Sequence, residues 1–505
     1  MPDLGEVVCC APMCDLSEVG YYDRMAFSTN IRPLRGRWEG LAIRFLPTCD
    51  LYEVGFPHLC PLFASNMKKY PKYKPSGVEW IGDVPEGWEV KKLKYFAEIF
   101  GGTTPESGND EFWDGEIFWV TPEDLGKLNG IFIQDTKRKI TQKGFDSCKL
   151  KVAPSNSLII SGRAPIGHLG ILKMPASTNQ GCKAMVFNES SICLYYYFLL
   201  LLSKEDLNSL GKGTTFLELS TQNLKDYQVP FPPLSEQTAI AAYLDRKTAQ
   251  IDQSIAEKER LIELFREERQ AIINHAVTKG IRTGAKMKPS GVEWIGDVPE
   301  GWEVKKLKHI AAIFGRIGFR GYTVNDIVEE GQGVITLSPG NIKNDVLTLE
   351  SAAYLSFEKY YESPEIMIFP EDIVLVKTGS TIGKTAIIPE SVPEMTLNPQ
   401  LVVLKDLKVL PKFLYYQTTC PFFKNMFEVE QTGGTTPTIS QEKINSFPVV
   451  IPPEIEEQKE VVNFIDQKTA QIDTAISGIR QEIALLQEYR QALIFEAVTG
   501  KIKVI

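Results

Sequence analysis

Residues Lys74–Lys94 read KPSGVEWIGDVPEGWEVKKLK, and the same twenty-one residues return unchanged at Lys288–Lys308, 214 positions later. Two shorter echoes close the frame. KTAQID at Lys247–Asp252 recurs at Lys468–Asp473, and Ala276-Val277-Thr278 recurs at Ala497-Val498-Thr499, each 221 positions on. Between these marks the halves differ over most of their length. A repeat of fixed period decides architecture before any local pattern does, so the chain is expected to be one scaffold built twice around two different inserts. Such a build suits a protein that reads two different things at a set distance.

Each half keeps one order: a tryptophan-bearing lead, a long insert, a Pro-Pro stop and a long helix. Asp83-Val84-Pro85-Glu86-Gly87 is a turn signal, and β-branched runs such as Ser157–Ile160 and Asp372–Val376 predict strands of a mixed α/β domain. The inserts end in parallel phrases, GKGTTFLELS at Gly211–Ser220 and TGGTTPTIS at Thr432–Ser440. Ser220 and Ser440 are placed to cap short helices with Leu224 and Ile444 four residues on. Pro232-Pro233 and Pro452-Pro453 then stop a strand and suit a helix start.

After the second Pro-Pro, Ile465, Ile472, Ile479, Leu486 and Leu493 recur at an unbroken spacing of seven, joined by Ile476 and Ile483. The corresponding positions of the first half are Leu244, Ile251, Lys258, Phe265 and Ile272, with Ile255 and Ile262. This is a coiled-coil stripe in both copies, along helices of roughly forty residues and about 60 Å. Each stripe needs a partner, and a pseudo-twofold pairing of the copies puts the two helices antiparallel with an insert domain at each end. The expected domains are an extension at 1–66 outside the fold, an insert domain at 67–234, a helix and linker at 235–286, a second insert domain at 287–454 and a closing helix at 455–505. A four-residue insertion near Thr278 is expected to disturb the stripe less than one in its middle.

Composition bounds the function. The net charge of −9, with 43% hydrophobic and 24% charged residues, is that of a globular protein and argues against coating nucleic acid by bulk charge. Lys137, Arg138, Lys139, Lys143, Lys149 and Lys151 form a local basic cluster whose two readings, a solvated face and phosphate contact, stand level. No apolar run is long enough to span a bilayer. Leu194–Leu202 (LYYYFLLLL) reads instead as a core helix. No secretory signal pattern opens the chain, so a cytoplasmic location is expected. Of nine cysteines, Cys9, Cys10, Cys14, Cys49 and Cys60 crowd the first sixty residues, none forms a CxxC pair, and neither a metal site nor disulfides are expected.

Two motifs tempt and fail. TGSTIGKT at Thr378–Thr385 has Gly379 one residue too close to Gly383 for a phosphate-binding loop, and Pro389 and Pro393 leave no room for the helix that loop requires. Asn398-Pro399-Gln400 touches an amino-methyltransferase signature but lacks its second proline and its aromatic residue. With four histidines and no nucleophile–base arrangement in sight, no catalytic residue is assigned. The candidates for touching a nucleic acid lie in and beside glycine-containing loops: Lys212, Thr214, Thr215 and Thr436 with Thr435 for phosphate positioning, and Arg163, Lys183, Lys377, Ser380 and Lys384 beside the strand turns. For any one of them an ordinary solvated turn is as good a reading.

The set GVEWIGDVPEGWEVKKLK (twice), ISGRAPIGHLGIL with TNQGCKA at Thr178–Ala184, GTTFLELSTQNLKDYQVPFPPLSEQ at Gly213–Gln237, KTAQID and the closing AVTKG and AVTGK resembles the specificity subunit of Type I restriction-modification systems, over residues 67–505. The resemblance implies two target recognition domains, each reading half of a bipartite DNA site, and a helical spacer that fixes the gap. It implies two methyltransferase subunits on that spacer, bringing S-adenosylmethionine, and restriction subunits bringing ATP and Mg, with no catalysis and no cofactor in this chain. The acidity of the chain is a departure that leaves much of the phosphate neutralisation to partners. A fused methylating enzyme and a coiled-coil scaffold without DNA reading are the competing classes. The first lacks its motifs, and the second does not account for two divergent inserts.

Overall fold

The computed structural model describes residues 68–504, apart from 164, 212–216, 317, 319–320 and 434–435. Residues Lys68–Ile505 form one compact unit. The extension expected at 1–66 lies outside the described residues.

Each lead folds as a small antiparallel hairpin, Tyr73–Pro75 on Asp83–Pro85 and Met287–Pro289 on Asp297–Pro299, in the same register. The next strand clamps the insert. Glu89–Lys92 pairs with Gln228–Phe231, and Glu303–Lys306 pairs with Pro448–Ile451. Those partners are the strands that run into Pro-Pro, so the two ends of each insert are held side by side by equivalent strand pairs, one strand of each identical in the two halves. What lies between them is free to diverge.

The inserts share a plan. In the first, a five-stranded sheet runs Ala97–Gly101, Cys182–Phe187, Leu158–Ser161, Leu169–Leu172 and Phe132–Ile133, beside a three-stranded sheet centred on Trp113–Val120. In the second, a four-stranded sheet runs Ala312–Phe314, Leu401–Lys405, Ile373–Val376 and Thr385–Ile387, beside another four-stranded sheet containing Gly333–Leu337. Ser220 and Ser440 cap Thr221–Asp226 and Gln441–Asn445, accepting from Asn223 N (3.0 Å) and Lys443 N (3.2 Å), and Leu224 and Ile444 are buried beneath them. The run LYYYFLLLL forms most of the helix Cys193–Leu202, in which seven of ten residues are buried. Pro411–Thr419 is its counterpart.

The two long helices are Leu234–Lys279, 46 residues, and Ile455–Val498, 44 residues. Arg490 holds Asp252 through two bonds (2.8 and 3.1 Å), Lys258 pairs with Glu482, and Arg269 meets Asp473 at 3.2 Å. Numbers rise along one helix as they fall along the other, so the helices run antiparallel. Lys258, the charged break in the first stripe, is accommodated by that ion pair with Glu482.

The stripe does two jobs. In the middle, Ile262, Ile472 and Ile476 are buried together with Phe265, Ile272, Ile479 and Ile483 packed around them. Towards the ends the same faces also enter the domains. Ile273, Ala276 and Val277 from the end of the first helix and Val461, Val462 and Ile465 from the start of the second share one core with Trp302 and Phe413. At the other end Tyr195 donates to the carbonyl of Val498 (2.8 Å), and Leu244 is fully buried. Ile251 and Leu493 are buried, and Ile255 and Leu486 half-buried. The joint near Thr278 is therefore a poor place for added residues, contrary to expectation: Thr278 is 2% exposed and the preceding Ala276 and Val277 are core.

Both helices end against a lead. Gly280 and Gly500 each have φ of 75°, and each lies against the equivalent pair, Trp302 with Pro299 and Trp88 with Pro85. A Cβ on Gly500 would stand 2.5 Å from Pro85 Cδ, so only glycine fits this turn. The first helix thus seats the second lead, and the second helix seats the first. Tyr73 donates to Lys501 O (3.2 Å), and Lys503 N donates to Lys68 O (2.6 Å).

Candidate nucleic-acid interface

At the same place in each insert three segments meet. A hairpin turn joins Leu158–Ser161 to Leu169–Leu172, and another joins Ile373–Val376 to Thr385–Ile387. The turns close alike: Ser161 N donates to His168 O and Val376 N to Lys384 O, both 2.8 Å, and Gly167 (φ 94°) and Gly383 (φ 85°) donate back to Ser161 O and Val376 O. The closing phrase crosses each turn, with Leu219 N on Gly162 O (2.7 Å) and Ile439 N on Lys377 O (3.0 Å). From the other side, Gly162 N donates to Gly181 O (2.7 Å) and Lys377 N to Gln400 O (2.8 Å).

The third segment is an asparagine turn in both halves. Asn179 Oδ1 accepts from Gly181 N, and Asn398 Oδ1 from Gln400 N, both 2.9 Å. Asn398-Pro399-Gln400 is therefore a local turn device. TGSTIGKT is likewise a strand hairpin. Thr385 opens a strand where a phosphate loop needs a helix, and its hydroxyl is spent on Thr418 Oγ1 (3.0 Å) in the interior.

Around this shared backbone the side chains differ. Arg163 pairs with Glu218 across the turn, Nε to Oε2 at 3.2 Å, and both are partly exposed. Lys183 lies below, 5% exposed, its stem between Gly101 and Gly162, and its Nζ reaches Glu218 Oε1 at 3.5 Å and Gln180 O at 3.1 Å. Lys183 was expected at the surface. It belongs to a strand in the middle of the sheet, so it tethers Glu218 and does not reach outward. In the second half the equivalent cross-turn pair is Thr378 with Thr438, hydroxyls 2.7 Å apart. Lys377 is half-buried, and burial pushes its amine below the ordinary lysine value.

Of the other candidates, Ser380 and Thr436 are exposed and Lys384 is half-buried. Lys212, Thr214, Thr215 and Thr435 lie outside the described residues. The basic cluster is matched by carboxylates: Lys137 with Glu123 (2.9 Å), Lys139 with Asp135 (3.3 Å), Lys143 with Glu111 (3.2 Å) and Lys151 with Glu98 (2.8 Å), while Arg138 stacks 3.4 Å over the Trp113 ring. A solvated, paired face describes it better than a phosphate-binding one. Sequence reasoning missed Glu218, Thr378 and Thr438. The signal was present in the aligned phrases FLELS and PTIS, which put Glu218 and Thr438 each one residue before the Leu219 and Ile439 that cross the turn.

The sequence profile described as the Type I restriction modification DNA specificity domain matches residues 85–264 and again 299–485, more than half of the chain. The chain belongs to this family. The two matched segments start at Pro85 and Pro299, the offset of the identical leads. Among members of the family, the Type I restriction enzyme MjaIX specificity subunit of Methanocaldococcus jannaschii is 26% identical over 443 residues, covering 84% of this chain and 95% of that one. The EcoKI specificity subunit of Escherichia coli is 21% identical over 454 residues, covering 83% and 90%. A chain in a solved structure of a type I R-M system superposes with a TM-score of 0.62 at 16% identity, over 83% of this chain and 99% of that chain, which shows a shared fold. No described helix is long and apolar enough to cross a membrane.

Proposed function

We propose that this chain is the DNA-recognition subunit of a Type I restriction-modification complex, with each insert reading one half of a bipartite site and the antiparallel helices setting the gap as a coiled-coil ruler. Residues 67–234 and 287–454 are the two target recognition domains, and 235–286 and 455–505 form the spacer. One observation carries the reading: two inserts of one plan, each clamped by an equivalent strand pair at opposite ends of paired helices, present equivalent turns with unlike side chains. A scaffold without sequence reading has no use for that difference.

The chain has no catalysis of its own in this reading. Two methyltransferase subunits dock on the spacer and bring S-adenosylmethionine. Restriction subunits bring ATP and Mg, and the assembly works in the cytoplasm, where the DNA is. Arg163, Lys377, Ser380, Lys384 and Thr436, with Lys212, Thr214, Thr215 and Thr435, supply contacts to bases and phosphates. Phosphate contacts fix register and base contacts give sequence, so an acidic chain reads well if its partners neutralise the backbone.

Replacing residues 93–227, the stretch between the clamp strands, with the corresponding stretch of a relative tests this. Methylome sequencing should find one half of the methylated site changed and the other half kept. A change in both halves, or in neither with methylation intact, would refute modular reading.

A further inference from the structure

We propose that Arg163 reads a guanine in the first half-site, that Glu218 positions it, and that the equivalent pair Thr378 and Thr438 is the uncharged reader of the second half-site. This deepens the function proposed above and rests on it.

The backbone around the two pairs is hydrogen-bonded alike in both domains. Leu219 and Ile439 cross the turn, Gly181 and Gln400 accept from its first residue, and a bridge joins residue 163 to 218 and residue 378 to 438. The scaffold is constant, and only the chemistry at its tip changes, from a charged group to two hydroxyls. That is the pattern of a position that selects different bases on one frame.

In the first domain the guanidinium is held by Nε alone, and among the described residues its two terminal nitrogens have no partner. A fork anchored at one edge keeps two N–H groups side by side, the arrangement that matches O6 and N7 of guanine in the major groove. Glu218 does not swing away with the arginine, because its other oxygen faces the buried Lys183. Two cations share one carboxylate, which leaves a net positive charge at the tip for DNA. Thr378 and Thr438 carry no charge, and either hydroxyl donates or accepts.

The test uses the full chain with its methyltransferase partners and reads the methylome and the salt dependence of DNA binding. Arg163→Ala should lower methylation of the parent site roughly 10- to 100-fold, the loss expected of a bidentate guanine contact, and relax one position of the first half-site only. Arg163→Lys should keep the charge and the salt slope but lose the guanine preference. Glu218→Gln should weaken the preference at that same position and nowhere else. Thr378→Val should relax the second half-site and leave the first unchanged. Arg163 is exposed and Thr378 half-buried at their turns, and unchanged co-purification with the partners controls for folding. If Arg163→Ala weakens all sequences equally and reduces the salt slope by about one, Arg163 is a phosphate contact and the proposal falls. It falls too if Arg163→Lys keeps the guanine preference. If the parent complex shows no sequence-dependent methylation that requires this chain, the function proposed above falls with it.

Discussion

Lengthening both long helices together should lengthen the gap in the methylated site. The cut belongs between Glu257 and Lys258 on the first helix and between Glu482 and Ile483 on the second. There the Lys258–Glu482 and Arg269–Asp473 pairs stay on one side, and Arg490–Asp252 stays on the other. Seven residues in each helix preserve the heptad stripe, with about 20° of drift per heptad, and add about 10.5 Å at 1.5 Å per residue. Ten base pairs rise about 34 Å, so the added length is about three base pairs. Three base pairs also turn the duplex by roughly 100°, and the protein supplies little compensating rotation. The lengthened protein should therefore methylate more slowly, at sites whose gap is longer by about two to four base pairs and whose half-sites are unchanged. Insertion into one helix alone should abolish activity, because it puts the ion pairs and the isoleucine seam out of register. Methylomes of hosts carrying each variant decide the matter. The original gap with full activity in the doubly lengthened protein would show that the helices do not set the distance.

Ile476→Ala should cost about 2–4 kcal/mol by opening a cavity in the seam. It should speed amide hydrogen exchange in the middle of both helices and leave their ends, which are domain core, protected, whereas a uniform rise along the helices would refute the division of the stripe. Iodoacetamide labelling followed by peptide mapping should modify half-buried Cys148 well before Cys182, Cys193 and Cys420, since burial pushes the Cys193 thiol up to about 12 and raises Cys182 and Cys420 as well; early labelling of Cys420 would contradict the second core. Lys94 first, with Gln222 and Lys92, holds the Asp226 carboxyl well below its ordinary value. A depressed carboxylate contributes stability that is full above its unfolded value near 4 and is lost as pH falls. At low salt, the difference in thermal midpoint between the parent and Asp226→Asn should thus shrink from pH 7 to pH 3, and a constant difference would overturn the sign.

Architecture was legible because repetition is a global signal. The identical leads, the Pro-Pro stops, the serine caps and the heptads each rest on residues whose local physics is decisive, and each appears where the sequence places it. The reach of Lys183 was not legible. A lysine beside a glycine-rich turn reads as exposed until the pairing of Cys182–Phe187 between two strands puts its stem inside. The tolerance of Thr278 was misread for a related reason. A stripe of spacing seven gives the face that is buried without saying what covers it, and near Thr278 the cover is the second domain together with the start of the second helix. Glu218 was overlooked because its role depends on two residues 55 and 35 positions away.

The sharing of helix ends explains how the two readers stay independent while the ruler between them stays stiff. Each domain core closes on the start of one helix and the end of the other, so neither domain can shift along one helix without dragging the second. The second core shows this directly, with Ile273, Ala276 and Val277 from one helix and Val461, Val462 and Ile465 from the other around the same aromatic residues. Variation is concentrated between the clamp strands, which pair with each other at the two ends of each insert. A substitution at the tip of a turn therefore changes what is read without changing where it is read. Added residues in the seam should change where without changing what. The twenty-one identical residues sit at the junction of those two freedoms, because each lead must accept a helix end on one side, at Gly280 or Gly500, and the strand that closes an insert on the other.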